Sequence, residues 1–227
     1  MRKIQCLFFI PLLFLALGMA TGFAADEETE TKTDADLTTD TTDDHRSDPE
    51  RLIDHTVERV LSILKMYNDT DDEPSRQQMR RGIHEAMLAA TDMELVSKRA
   101  LGNYRRKFSE SQFDAFVEKF THLLFSTYLD NLEAYNNETV EITSMRKLRP
   151  TVANVKTRVV SEDKEIPIDY SLLKKDELWY VYDLKVEGVS LMSNYRSQFA
   201  DLLKNNSPDE LLKKIDEKIQ QKQKKND

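Results

Sequence analysis

The most visible candidate for chemistry in this chain is Ser190, which follows Gly188 where the sequence pattern changes. A catalytic serine on a nucleophile elbow stands between two glycines, whereas the sequence EGVSL supplies only one. A histidine base such as His122 would have to come from another part of the chain. The more direct interpretation is that the Ser190 hydroxyl caps a following helix. An enzyme with Asp183 or His122 as its base is kept as an alternative.

The other titratable residues form no recognisable site. The chain has four histidines, at positions His45, His55, His84 and His122. No two of them have the four-residue spacing of zinc ligands on one helix. Asp183 and Glu187 would lie about 13 Å apart along a strand, which is too far for a glycosidase pair. With Gly82, Gly102 and Gly188 as the only glycines after residue 24, no glycine-rich loop can bind phosphate. The sequence therefore predicts no catalytic residue, metal or cofactor.

The N-terminus has the pattern of a secretory signal. Arg2 and Lys3 precede an apolar run over residues 4–17, and small residues follow up to Ala24. The run is shorter than a membrane span and an acidic segment follows it, which favours cleavage after Ala24 over anchoring. Export is therefore expected. Cys6 is the only cysteine, so the mature chain would have neither a disulfide nor a thiolate ligand.

Charge is distributed unevenly along the 227 residues, which carry a formal net charge of −8. Ten acidic and two basic residues lie between Asp26 and Asp48, so the chain from Pro49 onward is close to neutral. This Thr- and Asp-rich stretch has too few apolar residues to offset its ordering entropy, and we predict a disordered leader. It is either a solvated spacer or an acidic recognition tail. No basic stripe is evident, so nucleic acid is not an expected partner.

Helical periodicity dominates the first half of the remaining chain. Asp48 and Pro49 predict the start of a first helix, residues 75–90 a second, and the stretch up to Gly102 a third. Ser109 and Gln112 form a capping box that begins a long fourth helix. The apolar stripe of this helix is wide and aromatic, and each member is either core or ligand contact: Phe113, Phe116, Val117, Phe120, Leu123, Leu124, Tyr128, Leu132 and Tyr135.

After residue 136 the period falls to two, which predicts half-buried strands. The turns between them are too short for crossover helices, so the strands should form an antiparallel meander of about four. Helices followed by strands indicate an α+β fold with the helices on one face of the sheet, enclosing an apolar interior. We divide the chain into a signal peptide (1–24), an acidic leader (25–48), an α+β domain (49–206) and a C-terminal amphipathic helix with a frayed tail (207–227).

The stretch from Trp179 to Phe199 joins the two halves of this pattern. A strand is expected up to Val186, a turn with positive φ at Gly188, and a helix over residues 189–199 that closes one wall of an apolar chamber. The chamber is either packed core or a ligand pocket. The last helix is expected to dock on the domain, although a protein partner or a membrane surface is open to it.

Three stretches resemble the MlaC, or toluene-tolerance, family of Gram-negative bacteria. They carry the following residues: Leu101, Gly102, Tyr104, Gln112, Phe116, Phe120, Leu124 and Tyr128; Trp179, Val181, Asp183 and Glu187 to Ser190; Tyr195, Arg196 and Phe199. The resemblance covers most of residues 51–219. The chain departs from the family pattern at Arg105, where an aromatic residue is usual, and at Ser207 and Pro208, where the last helix usually begins with glycine.

This resemblance implies a periplasmic phospholipid carrier that is an auxiliary component of an ABC transport system and has no catalytic role. The expected partners are phospholipid, an inner-membrane ABC transporter complex with its lipid-binding ring, and an outer-membrane lipoprotein complex; the implied roles are outer-membrane lipid asymmetry and toluene tolerance. Arg105, Arg106 and Arg196 are the candidates for contact with the headgroup phosphate. The expected lining of the acyl-chain pocket is Phe116, Phe120, Leu124, Tyr128, Ile142, Val155, Val159, Ile168, Tyr170, Val189, Leu191, Tyr195 and Phe199. The alternative is an exported envelope adaptor or stress protein with a fully packed core and no lipid.

Overall fold

A computed structural model of the protein describes residues 45–67, 72–133, 137–161 and 164–226. Six α-helices and two short 3₁₀ helices, His45–Ser47 and Gly102–Lys107, occur in this part of the chain. The α-helices are α1 (Pro49–Tyr67), α2 (Glu73–Ala90), α3 (Met93–Leu101), α4 (Glu110–Glu133), α5 (Leu191–Asn205) and α6 (Pro208–Asn226). The strands are β1 (Thr139–Arg149), β2 (Val152–Val160), β3 (Glu165–Lys175), β4 (Leu178–Val186) and β5 (Val189–Ser190).

The strands form one antiparallel sheet in the order β1-β2-β3-β4-β5. This confirms the meander and the α+β class, with one difference. Val189 and Ser190 pair back onto Val186 and Lys185 as a fifth strand, so α5 begins at Leu191 instead of Val189. Glu187 and Gly188 have φ values of 49° and 83°, which is the two-residue hairpin turn whose twist matches that of the strands. The positive φ predicted at Gly188 is confirmed.

Side-chain caps set most of the helix starts. Ser109 and Gln112 satisfy each other's backbone N–H groups at the predicted capping box, with distances of 3.0 and 3.2 Å. The second helix starts earlier than predicted, because Asp72 accepts a hydrogen bond from the Ser75 N–H and Pro74 lies inside the first turn, where proline is tolerated. Gly102 ends α3 with φ 53°, as its position predicts.

Three apolar clusters fill the interior of this domain. The sheet cluster packs Leu52 and Ile53 of α1 against one face of the sheet, where they meet buried residues of β2, β3 and β4: Ala153, Val155, Leu172, Trp179 and Val181. A smaller cluster between α1 and α2 contains Leu64, Met79 and Ile83. Each cluster removes the apolar stripe of at least one helix from water, which is the main stabilising term for such helices.

The helical cluster joins α3, α4, α5 and α6 around buried aromatic rings. Leu211, Ile215 and Ile219 of α6 belong to it, so the last helix docks on the domain. Polar contacts follow the α4–α6 boundary: Gln112 donates to Asp209 (2.8 Å), Lys119 pairs with Asp216 (2.7 Å), and Lys222 donates to the Ser126 carbonyl (2.9 Å). The predicted frayed tail is helical as far as Asn226, consistent with the helix propensity of its Gln and Lys residues.

Two expectations cannot be compared with this fold. The leader up to Asp44 and Tyr135 of the long helix lie outside the described residues. Within the described ranges, none of the helices combines the length and apolar character needed to cross a membrane.

Candidate functional site

Several residues on the inner face of the sheet towards the β4–β5 turn are only half-buried, although Ile166, which pairs with Val159, is 6% exposed. On β2, Ala153 and Val155 are fully buried under α1, whereas Val159, further along the same face, is half-buried. Cross-strand pairing places Ile142 and Ile168 beside Thr157, one row before Val159. We call the following half-buried apolar set the open sheet end: Val140, Ile142, Val159, Ile168, Tyr170 and Val186. It is an apolar inner surface that α1 does not seal.

Helix α4 shows a parallel change along its length. Phe113, Phe116 and Phe120 in its first half are buried, with exposed fractions of 2%, 0% and 0%. Its second half carries four half-buried apolar residues: Leu124, Phe125, Tyr128 and Leu129. Leu124 and Tyr128 border the helical cluster, whereas Leu129 borders the α1–α2 cluster, so this half of α4 runs between two separate cores.

The buried aromatic residues expected to line a pocket pack against one another. The Phe120 ring lies 5.0 Å from Tyr195 and 5.3 Å from Phe199 in edge-to-face contacts, and 5.3 Å from Phe116 in a stack. A side chain that faces a cavity large enough for water retains accessible surface. Phe116, Phe120 and Val155 retain none, so in this structure they contact only protein atoms. Other predicted lining residues do retain accessible surface: Leu124, Tyr128, Ile142, Val159, Ile168, Tyr170 and Leu191.

Two hydroxyl pairs lie among these apolar residues. Tyr195 is hydrogen-bonded to Tyr128 and Thr127, and burial followed by the neighbouring Tyr128 phenol raises its pKa. Burial also raises the pKa of Tyr128. On the sheet, burial raises the pKa of Tyr170, and its hydrogen bond to Thr157 opposes this effect. These three phenols stay neutral near pH 7, and their hydrogen bonds are to each other or to the neighbouring threonines. They therefore add no charge to the interior.

The joint between sheet and helices is held by Asp183. One carboxylate oxygen accepts the Ser190 hydroxyl (2.6 Å) and the other accepts the Met192 backbone N–H (3.1 Å), while Ser190 accepts the Ser193 N–H (3.0 Å). Ser190 is therefore the cap of α5, as predicted, and Asp183 positions the start of that helix on β4. Val189, beyond the turn, is 42% exposed.

The groups of the enzyme alternative have structural partners. Ser190 and Asp183 are engaged with each other, and His122 lies near His84, whose ring meets the edge of Phe125 at 4.1 Å. Burial, then the neighbouring His122, lowers the pKa of His84. Within the described ranges, no cluster of three His, Cys, Asp or Glu side chains could hold a metal ion.

The three candidate headgroup arginines have different surroundings. Arg105 pairs with Glu110 (2.8 Å) and stacks 3.9 Å over Phe113. The Nε of Arg196 donates to the Arg99 carbonyl (2.8 Å), and its stem covers Gly102. Arg106 is exposed. Arg105 and Arg106 both belong to the 3₁₀ segment Gly102–Lys107, and Arg196 packs over its first residue, so the three lie in one region.

The fold and site define an α+β binding-type domain, with a meander sheet, helices on its inner face, and apolar interior surface left half-open. Residues 54–217 match the model of the MlaC protein family, and the chain belongs to this family. The sequence resemblance is thereby confirmed.

The chain is similar to two named relatives and to one solved structure. The chain is 21% identical to the intermembrane phospholipid transport system binding protein MlaC of Haemophilus influenzae, over 76% of this chain and 83% of that protein. It is 25% identical to the toluene tolerance protein ttg2D of Pseudomonas putida, over 71% and 75% of the two chains. A phospholipid-binding protein from Ralstonia solanacearum, solved in complex with a phospholipid, has the same fold at TM-score 0.69 and 24% identity, over 77% of this chain and 98% of that one.

Proposed function

We propose that this protein is a phospholipid carrier whose acyl chains bind between the open sheet end and the second half of α4. The observation that carries the proposal is common to both elements: each is fully buried at one end and has several half-buried apolar residues towards the other, where Ile166 and Leu123 stay buried. In a packed core the same residue types would be fully buried. The names of the relatives, a phospholipid transport binding protein and a phospholipid-binding protein, support lipid as the occupant.

The chemistry of the two surfaces suits acyl chains. Leu124, Ile142, Val159 and Ile168 offer aliphatic groups, and the hydroxyls of Tyr128 and Tyr170 are turned into internal hydrogen bonds. No ionised group is needed to hold a tail. Moving an acyl chain into water costs about 0.8 kcal/mol per methylene, so two chains of ordinary length cost more than ~20 kcal/mol. A carrier that replaces bilayer by an apolar protein surface removes this barrier without catalysis.

The finer parts of the proposal concern location and partners. The secretory pattern before Ala24 supports a periplasmic protein with residues 1–24 as signal, 25–48 as leader and the domain plus α6 as the carrier. In this scheme the protein shuttles lipid between an inner-membrane ABC transporter complex and an outer-membrane lipoprotein complex. The headgroup receives no fixed residue, because Arg105 and Arg196 already have protein partners. Headgroup contact by Arg105, Arg106 and Arg196 stays a prediction.

Lipid extraction with a matched pair of variants tests the carrier function. Organic extraction of the purified protein and mass spectrometry should release phospholipid in a stoichiometric amount. Val159 and Val160 are adjacent half-buried valines on opposite faces of β2. Val159→Trp fills the open sheet end and should lower the lipid content several-fold, whereas Val160→Trp, on the outer face, should retain it. Lipid-free wild-type protein, or equal lipid loss in both variants, would contradict the proposal.

The adaptor alternative makes the opposite prediction for the same pair. If the half-buried residues close onto one another in solution, neither tryptophan affects a ligand, and Val159→Trp only destabilises the core by overpacking. Wild-type protein that contains no lipid and a Val159→Trp variant with a lowered midpoint of urea unfolding would together favour this alternative.

A further inference from the structure

One short stretch of this acidic chain is rich in positive charge. Between residues 95 and 109 there are five cationic and no acidic side chains, in a protein of net charge −8. Arg196 of α5 lies over Gly102 in the same region. We call this set the basic patch: Lys98, Arg99, Arg105, Arg106, Lys107 and Arg196. Its members come from α3, the following 3₁₀ segment and α5, so folding adds Arg196 to a cluster that is otherwise local.

Neutral groups hold most of the patch in place. The Arg99 guanidinium lies 3.8 Å over the Tyr182 ring, the Arg196 Nε donates to a carbonyl, and the Lys107 ammonium donates to the Leu203 carbonyl at 2.8 Å. Aromatic faces and carbonyls restrict a cation without cancelling its charge. The patch is therefore ordered and still positive.

Carboxylate partners are few. Lys98 pairs with Glu94 and Arg105 with Glu110, both at the margins of the patch. For Arg99, Arg106, Lys107 and Arg196, the described part of the chain supplies no carboxylate within ion-pair distance. Some cations elsewhere in the domain are matched by acidic neighbours, as Arg158 is by Glu141 and Glu165. Four adjacent cations without such neighbours are available to an anionic partner outside this domain.

We propose that the basic patch is the surface with which the protein adsorbs to anionic phospholipid membranes. Guanidinium groups donate two parallel hydrogen bonds to phosphate, and basic residues near an anionic lipid surface are attracted within about a Debye length. The chain as a whole carries a net charge of −8, so attraction to an anionic surface requires a local excess of cations such as this patch. The choice of a lipid surface over an acidic protein rests on the proposed carrier function.

Vesicle flotation tests the inference. Full-length mature protein is mixed with vesicles of phosphatidylcholine alone or with about one third phosphatidylglycerol. Binding should require the anionic lipid and should fall when salt is raised from about 20 to about 300 mM. Attraction near such a surface is worth roughly fivefold per basic residue, so Arg106→Gln with Arg196→Gln should weaken binding about 25-fold. Arg106→Glu, at an exposed side chain, should weaken it at least as much as Arg106→Gln does.

The matched control removes two exposed cations from another surface. Lys213→Gln with Lys214→Gln on α6 changes the net charge equally and should leave most vesicle binding intact. Three results would overturn the inference: equal losses of binding in both double variants, binding that does not depend on phosphatidylglycerol, and no binding at low salt. The last result would leave an acidic protein as the partner that fits.

Lipid content of the same samples separates this inference from the carrier proposal. If the arginine variants lose copurified lipid but still bind vesicles, these arginines contact the headgroup and the surface assignment is wrong. If wild-type protein contains no lipid yet binds anionic vesicles through the patch, the carrier function fails and the surface assignment stands.

Discussion

The helical cluster and the open sheet end are made from the same kinds of residue and are packed differently. In the helical cluster, Phe116, Phe120 and Phe199 meet edge to face or in stacks, with ring centroids 5.3 to 5.4 Å apart. At the open sheet end, Ile142 and Ile168 share a row with the buried Thr157 and are themselves only half-buried. The most aromatic part of the chain is thus its tightest core, and the proposed acyl-chain site lies beside less conspicuous aliphatic strands.

The two regions meet different packing requirements, which a single apolar chamber would have to meet together. Edge-to-face rings fix one arrangement, because their quadrupoles favour particular angles. Aliphatic side chains on a sheet impose little direction and tolerate acyl chains of different length. Rigidity and tolerance are therefore placed in different regions, which gives different expectations for mutation in each.

The largest effect is expected in the helical cluster. Phe120→Ala should lower the free energy of unfolding by about 3 to 5 kcal/mol, since it opens a cavity among three aromatic rings. Urea unfolding followed by circular dichroism measures the change. Copurified lipid per folded protein should change little, because Phe120 contacts only protein. A small stability loss with a large lipid loss would reverse the assignment of the two regions.

The second-largest loss of stability is expected at Asp183, which connects the sheet to α5. Asp183→Ala removes the acceptor for the Ser190 hydroxyl and the Met192 N–H, and should cost about 2 to 3 kcal/mol. The control is Asp169→Ala, whose exposed pair with Lys156 spans 3.9 Å and should contribute at most about 1 kcal/mol. Similar unfolding midpoints for the two variants would mean that α5 is held by packing alone.

Ile168→Ala tests the open sheet end. Because Ile168 is already half-exposed, the expected stability loss is about 1 to 2 kcal/mol, below the range for a fully buried isoleucine. The proposed contact with acyl chains predicts faster lipid exchange, measured as transfer of a fluorescent phospholipid to acceptor vesicles. Unchanged exchange together with a loss above ~3 kcal/mol would make Ile168 ordinary core.

The smallest effect is a pH dependence at the α2–α4 contact. The lowered pKa of His84 means that the unfolded chain takes up the proton first as pH falls. The effect is therefore absent well above the ordinary histidine pKa of about 6.5 and destabilises the fold progressively below it. His84→Gln should show less loss of stability between pH 7.5 and 5.5 than wild type, in urea titrations at both values. An identical loss in both proteins would exclude His84 as its source.

Much of the architecture follows from local sequence rules. The capping box at Ser109 and the positive φ at Gly188 depend only on neighbouring residues, and both were predictable. Strand alternation likewise gave the meander. The fifth strand was missed because two residues, Val189 and Ser190, are too few to show a period, and because Glu187–Gly188 is not one of the Asn-Gly or Asp-Gly pairs that signal a two-residue hairpin.

The candidate site was less predictable because the apolar stripe of a helix does not show which residues pack against it. Phe116 and Leu124 are both on the apolar stripe of α4 and look alike in sequence. They differ because α5 and α6 supply rings and aliphatic chains beside the first, a distribution that depends on contacts between distant parts of the chain. Arg105, Arg106 and Arg196 were grouped in advance only through the family resemblance, and the fold adds Lys98, Arg99 and Lys107 to them.

The polar contacts along the α4–α6 boundary have one more consequence. On α4 they fall at Gln112, Lys119 and Ser126, and on α6 at Asp209, Asp216 and Lys222. The spacing on α4 is a heptad, and both helices run in the same direction, so the pair resembles a short parallel coiled coil. Such a pair resists sliding and bending as one rod. If acyl chains bind as proposed, we expect the interior to expand for a bulkier lipid through movement of the sheet or of α1 and α2, with α4 held in place.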